Sequence, residues 1–531
     1  MTKDLEPRLM SGNQAVALAA LHLGVSLGVG YPGTPSTEIL ENFSLFGGLA
    51  QWSPNEKVAL EVGIGVAYSG ARALVTMKHV GVNVAADPLF TVAYTGVPGG
   101  LVLISADDPG MGSSQNEQDN RRYAVAAGVM MLEPADAQES YDFLFEAFRL
   151  SEEWKLPVLF RMTTRVCHSR GIVRPRTASP QEEAPAFVRD PRTYVMIPGY
   201  ARPAHKRLRQ KLNDIQQWNE SSALNEIHEG DSSLGIITAG VTYLHTREAA
   251  PEASVLKLGM TYPLPLETIR KFAASVDRCL VIEENDPYMV DAILAAGIPC
   301  EGKEEMYRFG ELNIARVKHI IDGDHGDEAP PPPGKPPELC KGCPHRMAFA
   351  VMNKFNCIIA GDIGCYTLSV LPPFESLDTC VCMGASVGVG LGLRHALPDE
   401  EARRVISVIG DSTFVHSGLT GIVEMVYNPP KTGHVLVILD NGTTAMTGMQ
   451  EHPGTGRALD HEQTGKLVFE NVIRAMGVPN VHVVSRPQDF EALLRESLEK
   501  DELSVIILRK VCILAEPKLA RYEAANKTTK D

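Results

Sequence analysis

VISVIGDSTFVHSG, residues 405–418, and VLVILDNGTTAMTG, residues 435–448, are two apolar runs that each end in a polar turn. Asp411 follows the first run, and Asn441 follows the second run thirty positions later. Such runs predict buried parallel strands, and ligands bind at the carboxyl ends of these strands. Carboxylate, amide and carbonyl oxygens at this edge suit Mg²⁺, while Ser412 and N–H groups that begin a helix suit phosphate. The simpler alternative is that Asp411 and Asn441 only cap helices.

The same alternation of short apolar runs and helix-length segments extends over most of the chain. Residues 1–175 and 233–322 form two more blocks of this kind, and residues 337–531 form the block that carries the two runs above. Strands separated by helices predict parallel sheets, so we expect an α/β protein with three doubly wound domains. A polar segment with an amphipathic helix, 176–232, and a proline-rich linker, 323–336, separate these blocks.

The composition argues against several classes of protein. A net charge of −15 argues against nucleic acid and anionic membrane surfaces as partners. The uncharged stretch 88–106 is long enough to span a bilayer, but prolines and glycines interrupt it. We predict a turn followed by a buried strand there, and no membrane segment. Ten cysteines and an N-terminus unlike a signal peptide indicate the cytoplasm, where spaced cysteines more often bind metals than form disulfides.

A Gly-Asp pair at residues 410–411, followed thirty positions later by Asn441, resembles the thiamine diphosphate signature. That cofactor needs a glutamate for its aminopyrimidine ring, and a buried carboxyl group with a raised pKa suits this hydrogen bond. Glu61 lies in the small, apolar sequence KVALEVGIGVAYSGA and is the candidate. A glutamate in the first turn of a helix is more often an exposed partner of the helix dipole, so both interpretations stay open.

Longer motifs carry a closer resemblance. They occur in one order along the chain: YPGTPSTEIL, MKHVGVNVAADPL, DDPGMGSSQNEQDNR, CKGCPHR, GDIGCYTL, CMGASVGVG and DNGTTAMTG. On these motifs the chain is identified as a member of the thiamine-dependent 2-oxoacid:acceptor oxidoreductases, and it resembles the large subunit of indolepyruvate ferredoxin oxidoreductase over nearly its whole length. The resemblance implies a thiamine-diphosphate-binding fold and a coenzyme A-dependent oxidative decarboxylation of an aryl 2-oxoacid. The products are an aryl-acetyl-CoA, CO₂ and a reduced low-potential acceptor.

The resemblance also implies catalytic roles for individual residues. Glu61 binds the aminopyrimidine, and Thr34 contacts the substrate carboxylate or the cofactor. Arg121 pairs with the 2-oxoacid carboxylate, for which a guanidinium fork is well shaped, although a surface ion pair is the alternative. His79 and His345 line the site, with hydrogen-bonded core histidines as the alternative.

The implied cofactor contacts lie in the last block. Asp411, Asn441 and the carbonyl of Thr443 bind Mg²⁺. Met446 stands where pyruvate enzymes carry an asparagine near the thiazolium ring, which implies a larger apolar pocket. The expected cofactor-binding residues are Gly384, Gly410, Asp411, Ser412, Asn441, Thr443 and Met446.

Spaced cysteines complete the expected site. Cys340 and Cys343 form a C-x-x-C pair, a spacing that suits a metal or a disulfide. Pyruvate-type relatives hold a [4Fe–4S] cluster with four thiolates, and the matching positions here are Cys340, Cys343, Cys365 and Cys512. Zinc, or no metal, are the alternatives.

The resemblance finally implies partners. This family's large subunit usually ends in a ferredoxin-like domain, and no such cysteine motifs follow Cys512 here. We therefore expect a separate ferredoxin-like subunit or carrier and a small beta subunit, together in a hetero-oligomer. A non-oxidative thiamine-dependent decarboxylase is one alternative, since it needs no cluster. An inactive scaffold or regulatory subunit is another, and it would bind no thiamine diphosphate.

Overall fold

The computed structural model describes residues 6–178, 180, 184–324, 326 and 337–528. The chain divides into two compact units, Met1–Ala329 and Pro330–Asp531. Among the described residues, the first unit carries a seven-stranded, a four-stranded and a two-stranded sheet, and the second carries a five-stranded sheet. The predicted α/β class is confirmed, and each of the three predicted blocks contributes most of the strands of one of the three larger sheets. The predicted linker, 323–336, lies almost wholly outside the described residues.

The first unit contains short strands and mostly amphipathic helices. Its strands are β1 (Arg8–Ser11), β2 (Leu27–Gly30), β3 (Ala50–Trp52), β4 (Ala73–Lys78), β5 (Leu101–Asp107), β6 (Met130–Leu132), β7 (Val158–Thr163), β8 (Arg170–Val173), β9 (Glu226–His228), β10 (Asp231–Ala239), β11 (Ala253–Leu258), β12 (Met260–Tyr262) and β13 (Cys279–Ile282). Its helices are α1 (Gly12–His22), α2 (Thr37–Leu45), α3 (Glu56–Tyr68), α4 (His79–Val84), α5 (Ala86–Thr95), α6 (Arg121–Ala127), α7 (Ala137–Trp154), α8 (Thr164–His168), α9 (Pro191–Tyr194), α10 (Pro198–Asn219), α11 (Val241–Ala249), α12 (Leu266–Ala274), α13 (Tyr288–Ala295) and α14 (Ile314–Asp322).

The seven-stranded sheet has the order β12-β6-β7-β5-β4-β2-β3. Its strands are parallel except β12, which pairs antiparallel with β6. Every residue of β4, β5 and β7 is buried, as expected for parallel strands covered on both faces. Because β12 comes from the middle block, the sheet begun by the first block is completed by residues more than a hundred positions later.

The four-stranded sheet has the order β13-β10-β11-β9, and only its edge strand β9 is antiparallel. The two-stranded sheet pairs β1 with β8. The middle block therefore has a small sheet of its own, although it also contributes β12 to its larger neighbour.

The uncharged stretch 88–106 differs from the prediction in its first half. It begins inside helix α5, which ends at Gly96 with φ +65°, and only then forms the buried strand β5. Asp87 lies in the first turn of α5, where an acidic side chain favours a helix, so the predicted turn was wrong. Across the described part of the chain, no helix is both long and apolar enough to cross a bilayer.

The second unit is a doubly wound parallel sheet. Its strands are β14 (Ile358–Ala360), β15 (Val405–Gly410), β16 (His434–Asp440), β17 (Asn480–Val484) and β18 (Leu503–Arg509), and its helices are α15 (Pro344–Met352), α16 (Ala385–Ala396), α17 (Asp399–Ala402), α18 (Asp411–Thr413), α19 (Leu419–Tyr427), α20 (Phe469–Ala475), α21 (Pro487–Glu499) and α22 (Glu516–Thr528). The strand order is β14-β15-β16-β18-β17.

Both faces of this sheet are covered by apolar side chains. Val408 and Val437 belong to one hydrophobic cluster, and their chain neighbours Ile409 and Ile438 belong to another. Since successive side chains of a strand point to opposite faces, the two clusters are the two covered faces. The polar ends of β15 and β16 are thus the places where this sheet can offer side chains to a ligand.

Candidate active site

Asp411 and Asn441 lie at neighbouring strand ends, as the sequence predicts. The parallel register pairs Gly410 of β15 with Leu439 of β16. Asp411 directly follows Gly410, and Asn441 lies two residues after Leu439, so the two side chains are at the same end of adjacent strands. The N–H of Gly442 donates to Asp411 Oδ2 at 2.7 Å, which ties the two strand ends together. Burial raises the pKa of Asp411, but the charge of His452 and the surrounding hydrogen bonds outweigh burial and lower it. The site therefore presents a charged carboxylate beside an amide.

The helical segment after β15 begins at this carboxylate. The helical turns Asp411–Thr413, 414–418 and Leu419–Tyr427 follow one another without a break. Ser412 N–H donates to Asp411 Oδ1 at 2.8 Å, and Thr444 Oγ1 donates to Ser412 Oγ at 2.9 Å. A helix start lined by hydroxyl groups is suited to phosphate oxygens, as predicted for Ser412.

His345 lies next to Asn441. It is buried in the first turn of α15, and Asn441 Nδ2 lies 3.3 Å from its Nε2. Burial lowers the pKa of His345 to about 4, so the ring is neutral and can accept a hydrogen bond from the amide. This contact fixes the Asn441 side chain with its Oδ1 on the other side, where Oδ1 accepts from Thr443 N–H at 3.1 Å. Of the two predicted histidines, His345 thus lies beside Asn441 and orients its side chain.

His452 is a site residue that the sequence analysis did not single out. Its Nε2 lies 3.2 Å from Asp411 Oδ2, and the side chain is buried. Gly454 N–H donates to His452 Nδ1 at 3.2 Å, so Nδ1 is the acceptor nitrogen of the ring and Nε2, the atom that faces the carboxylate, carries a proton. The His-Pro-Gly sequence of residues 452–454, a histidine held at a turn soon after the Asn441 motif, is the signal that could have revealed it.

The other expected cofactor residues differ in position. Gly410 packs against Tyr366, whose ring would lie 2.8 Å from an added Cβ. Gly384 has φ +87°, and an added Cβ would lie 2.4 Å from Ser417 Cβ, so both glycines are needed for close packing. Met446 is 53% exposed in a short turn after β16. Its side chain is open to solvent rather than part of a described cavity wall.

The four cysteines that are expected to be ligands lie close enough for their charges to interact. Burial, followed by the charges of Cys343, Cys512 and Cys340, raises the pKa of Cys365 to about 11. Cys512 N–H donates to the carbonyl of Asn441 at 3.0 Å, which attaches this group of thiols to the end of β16. In the described part of the chain, no three His, Cys, Asp or Glu side chains are arranged as a metal site. The thiols are thus close to one another without forming a closed ligand cage.

In the first unit, two glutamates of α3 have opposite environments. Glu61 is 44% exposed and pairs with Lys57 one turn earlier. Glu56, at the first helical residue, is only 5% exposed. Its Oε1 lies so close to Gly81 that an added Cβ there would approach it to 2.6 Å. The burial that an aminopyrimidine-binding carboxyl group needs is found at Glu56 and not at Glu61.

His79 and Thr34 lie shortly after parallel strands of the same sheet. His79 begins α4 directly after β4 and is fully buried. Its Nε2 lies 3.2 Å from the carbonyl of Asn116, while its Nδ1 has no hydrogen-bond partner among the described residues. Burial lowers the pKa of His79, which keeps the ring neutral. Thr34 is half-buried in the turn after β2.

Arg121 is placed differently from both interpretations of the sequence. It is 1% exposed, and its guanidinium donates to Asp119, to Glu283 Oε2 at 2.6 Å and to the carbonyls of Glu284 and Asp286. Each guanidinium nitrogen thus has a protein acceptor, so these contacts do not support a role in binding a 2-oxoacid. Glu283 is 162 positions away, which is why a sequence pattern could not reveal this buried ion pair.

Comparisons with known proteins agree with these features. Residues 18–224 match the family model "Pyruvate flavodoxin/ferredoxin oxidoreductase, thiamine diP-bdg", and residues 362–508 match "Thiamine pyrophosphate enzyme, C-terminal TPP binding domain". A solved structure of 2-oxoglutarate:ferredoxin oxidoreductase from Magnetococcus marinus has a similar fold, with a TM-score of 0.50 and 17% identity over 60% of this chain and 65% of that chain.

Curated relatives extend over nearly the whole chain. Indolepyruvate oxidoreductase subunit IorA of Archaeoglobus fulgidus is 39% identical over 98% of this chain and 88% of the relative. The protein of the same name from Methanothermobacter thermautotrophicus is 38% identical over 95% and 86%. 2-Oxoglutarate synthase subunit KorA of that organism is 27% identical over 53% and 88%. With thiamine-binding family models in both units and relatives of this identity and coverage, the chain belongs to the indolepyruvate oxidoreductase subunit IorA family of thiamine-dependent 2-oxoacid oxidoreductases.

Proposed function

We propose that this chain is the catalytic subunit of an indolepyruvate-type 2-oxoacid oxidoreductase. In this reaction an aryl 2-oxoacid loses CO₂, coenzyme A receives the aryl-acetyl group, and two electrons pass to a low-potential acceptor. The observation that carries the proposal is the pairing of Asp411 with Asn441 at adjacent strand ends, within a matched thiamine pyrophosphate domain. The IorA relatives, which are named for indolepyruvate, support an aryl substrate.

The second unit is suited to Mg²⁺ and a diphosphate. Asp411, Asn441 and the Thr443 carbonyl offer hard oxygen ligands, and the helix that begins at Asp411 offers N–H groups to phosphate oxygens. Thiamine diphosphate, when bound, supplies the carbanion chemistry that decarboxylates a 2-oxoacid. The protein's own contribution is to orient these ligands, through His345 on Asn441 and His452 on Asp411.

The first unit supplies the carboxyl group for the aminopyrimidine ring. We assign this role to Glu56 instead of Glu61, because Glu56 is shielded from water and a hydrogen bond is stronger in such surroundings. The partnerless Nδ1 of His79 and the half-buried Thr34 are candidates for substrate contacts at the strand ends of the same sheet.

The four neighbouring thiols suit a [4Fe–4S] cluster. Cys340, Cys343, Cys365 and Cys512 supply the number and type of ligands that such a cluster needs, and a cluster accepts electrons one at a time. The hydrogen bond from Cys512 to Asn441 supports electron transfer from the cofactor site, since it joins the thiols to that site.

Partners follow from this chemistry. We propose a small beta subunit and a separate ferredoxin-like subunit or carrier in a cytoplasmic hetero-oligomer, because the relatives are named as subunits. A cluster that accepts electrons one at a time also requires a docking protein that carries the electrons away.

The test uses the full chain, produced and kept without oxygen, alone and with a small beta subunit. We expect about four iron and four sulfide ions per chain, lost when Cys365 is replaced by Ser. We also expect coenzyme A-dependent reduction of a viologen dye by indolepyruvate, lost in Asp411→Asn. Iron-free protein that binds thiamine diphosphate and releases an aldehyde would identify the non-oxidative decarboxylase instead. Protein that binds no thiamine diphosphate would identify a scaffold.

A further inference from the structure

A cavity of about 620 Å³ in the first unit is lined by none of the residues assigned to the proposed reaction. Helices α9 and α10 form one side of it, and the turn after α5 and the end of α7 form the other. We call it the α9–α10 cavity. Its volume is within the range of small-molecule sites.

The cavity lies away from the catalytic edge of the seven-stranded sheet. Gly96 and Val97 precede β5, and Lys155 precedes β7, so these lining residues are at the amino ends of the two strands. His79 follows the carboxyl end of β4, which runs parallel to β5. A seven-residue strand such as β5 is about 23 Å long, so the cavity and the catalytic edge are separate places.

Most charged residues that line the cavity are basic, although the net charge of the protein is negative. Lys155, Arg192, Arg207 and Lys211 face one carboxylate, Asp190. That carboxylate already accepts from the N–H of Arg192 and from Thr193 Oγ1. The chain has 65 acidic and 50 basic residues, so a concentration of basic side chains without matching acids runs against its composition. Like charges held together stabilise the fold poorly unless an anion joins them.

Lys211 shows the effect of this crowding. Burial, followed by the charges of Lys155 and Arg207, lowers its pKa. Its ammonium group donates only to the carbonyl of Lys155, at a long 3.4 Å, among the described residues. A phosphate group would supply the missing negative charge.

The other end of the cavity is aromatic. Tyr194 of α9 is held against Tyr68, with ring centroids 4.6 Å apart, and Tyr200 begins the lining face of α10. Along a helix, Arg207 lies about 10 Å and Lys211 about 16 Å beyond Tyr200, because each residue adds about 1.5 Å. The tyrosine rings at one end of the cavity could stack on a nucleotide base, and the cations about 10–16 Å away could bind its phosphates.

We propose that the α9–α10 cavity binds a nucleoside diphosphate group, with the base on the tyrosines and the phosphates on Lys155, Arg207 and Lys211. The group belongs either to a free nucleotide or to coenzyme A, which contains an adenosine diphosphate. Only the second source rests on the proposed function.

Calorimetric titration of the full chain tests the proposal. The protein is saturated with thiamine diphosphate and Mg²⁺, so that the diphosphate site in the second unit is filled. We expect ADP to bind at one site per chain. The double variant R207Q/K211Q is expected to bind ADP at least tenfold more weakly. The matched control R202Q/K206Q removes two exposed charges from the same helix outside the cavity, and its ADP affinity stays unchanged.

A second variant distinguishes the contribution of the base to binding from that of the phosphates. Tyr200→Leu is expected to weaken ADP at least fivefold and to leave inorganic pyrophosphate binding unchanged. No binding of ADP or coenzyme A to the native chain overturns the proposal, as does equal binding to R207Q/K211Q. Tighter binding of coenzyme A than of ADP at this site identifies the coenzyme as the source, while weaker binding of coenzyme A identifies a free nucleotide. Loss of the proposed reaction leaves the ADP result unaffected, so the two failures are distinguishable.

Discussion

At the residue scale, the first turns of α3 offer a direct comparison between two carboxyl groups. Glu56→Gln is expected to lower indolepyruvate oxidation by at least about 100-fold, since a proton-transferring group contributes about 10²–10⁴-fold. Glu61→Gln, which removes only an exposed pair with Lys57, is expected to keep at least half of the activity. Steady-state kinetics with saturating thiamine diphosphate measure both. The reverse order of effects would restore the sequence-based choice of Glu61.

His452 makes a second prediction at this scale, because it faces the carboxylate ligand. His452→Ala is expected to weaken Mn²⁺ binding in the presence of thiamine diphosphate by about 10- to 100-fold, as is usual for residues that orient metal ligands. Electron paramagnetic resonance of free Mn²⁺ measures this affinity without turnover. The control is His395→Ala, an exposed histidine of α16 in the same unit. Equal affinities in the two variants would remove His452 from the site.

Sequence patterns predict some of these residues and miss others for one physical reason. Asp411 and Asn441 are readable because strand ends follow directly from local apolar runs. The burial of Glu56 depends on Gly81, and the contacts of Arg121 depend on Glu283, which are distant in the chain. Local patterns contain no information on such contacts, so the sequence shows neither the burial of Glu56 nor the ion pairs of Arg121.

At the element scale, the segment 449–466 after β16 is held by one buried carboxylate. Arg457 Nε donates to Glu451 Oε1 at 2.8 Å, and His461 Nδ1 lies 3.1 Å from the same oxygen. The His461 ring also stacks on Tyr522 of α22, with centroids 3.8 Å apart. This segment carries His452, so its order determines whether that ring reaches Asp411.

The anchoring carboxylate gives the segment a predictable pH dependence. Burial raises the pKa of Glu451, but hydrogen bonds from His461 and Arg457 outweigh burial and lower it from 4.5 to about 2. A carboxyl group with a lowered pKa stabilises the fold above its unfolded pKa and loses that contribution as the pH falls. We expect hydrogen-exchange protection of 451–463 to decrease between pH 4.5 and pH 2.

Two variants check that this dependence belongs to Glu451. Glu451→Gln is expected to lower the protection factors already at pH 7 and to flatten their pH profile. Glu462→Gln changes an exposed carboxylate of the same segment and leaves the native profile. A profile that persists in Glu451→Gln would assign the effect to another group.

Elements were predicted better than their contacts. Strands β15 and β16 follow from unbroken apolar runs, since parallel strands are covered on both faces. Helix α5 was missed because its uncharged residues hide the periodicity that distinguishes a helix from a buried strand. The pairing of β12 with β6 joins residues from different blocks, and no local pattern contains it.

At the scale of the whole molecule, a buried ionic network joins the first and middle blocks. Arg161 donates to Asp107 Oδ2 at 2.6 Å, to Glu133, and to Asn285 Oδ1 of the middle block at 2.9 Å. Arg121 makes a similar connection to Glu283. Such fully buried charges are costly when one partner is lost, because the remaining charge has no water to solvate it.

This network predicts cooperative unfolding of both blocks. Arg161→Leu is expected to lower the free energy of unfolding by about 3–5 kcal/mol. Arg149→Leu, which removes half-exposed pairs with Glu146 and Glu153, is expected to cost less than about 1 kcal/mol. Urea denaturation followed by hydrogen exchange in 6–178 and 184–324 should show one shared transition. Separate transitions for the two ranges would show that the network does not couple them.

The late arrival of β12 has a consequence for synthesis. At 5–20 residues per second, a ribosome needs roughly 7–26 s to proceed from the end of β6 to the end of β12. Throughout that interval the apolar strand Met130–Leu132 can pair with β7 but lacks β12 on its other edge, and an unpaired strand edge invites association with other chains. The yield of this protein in a cell therefore depends on how well chaperones shield the growing chain until residue 262 has emerged.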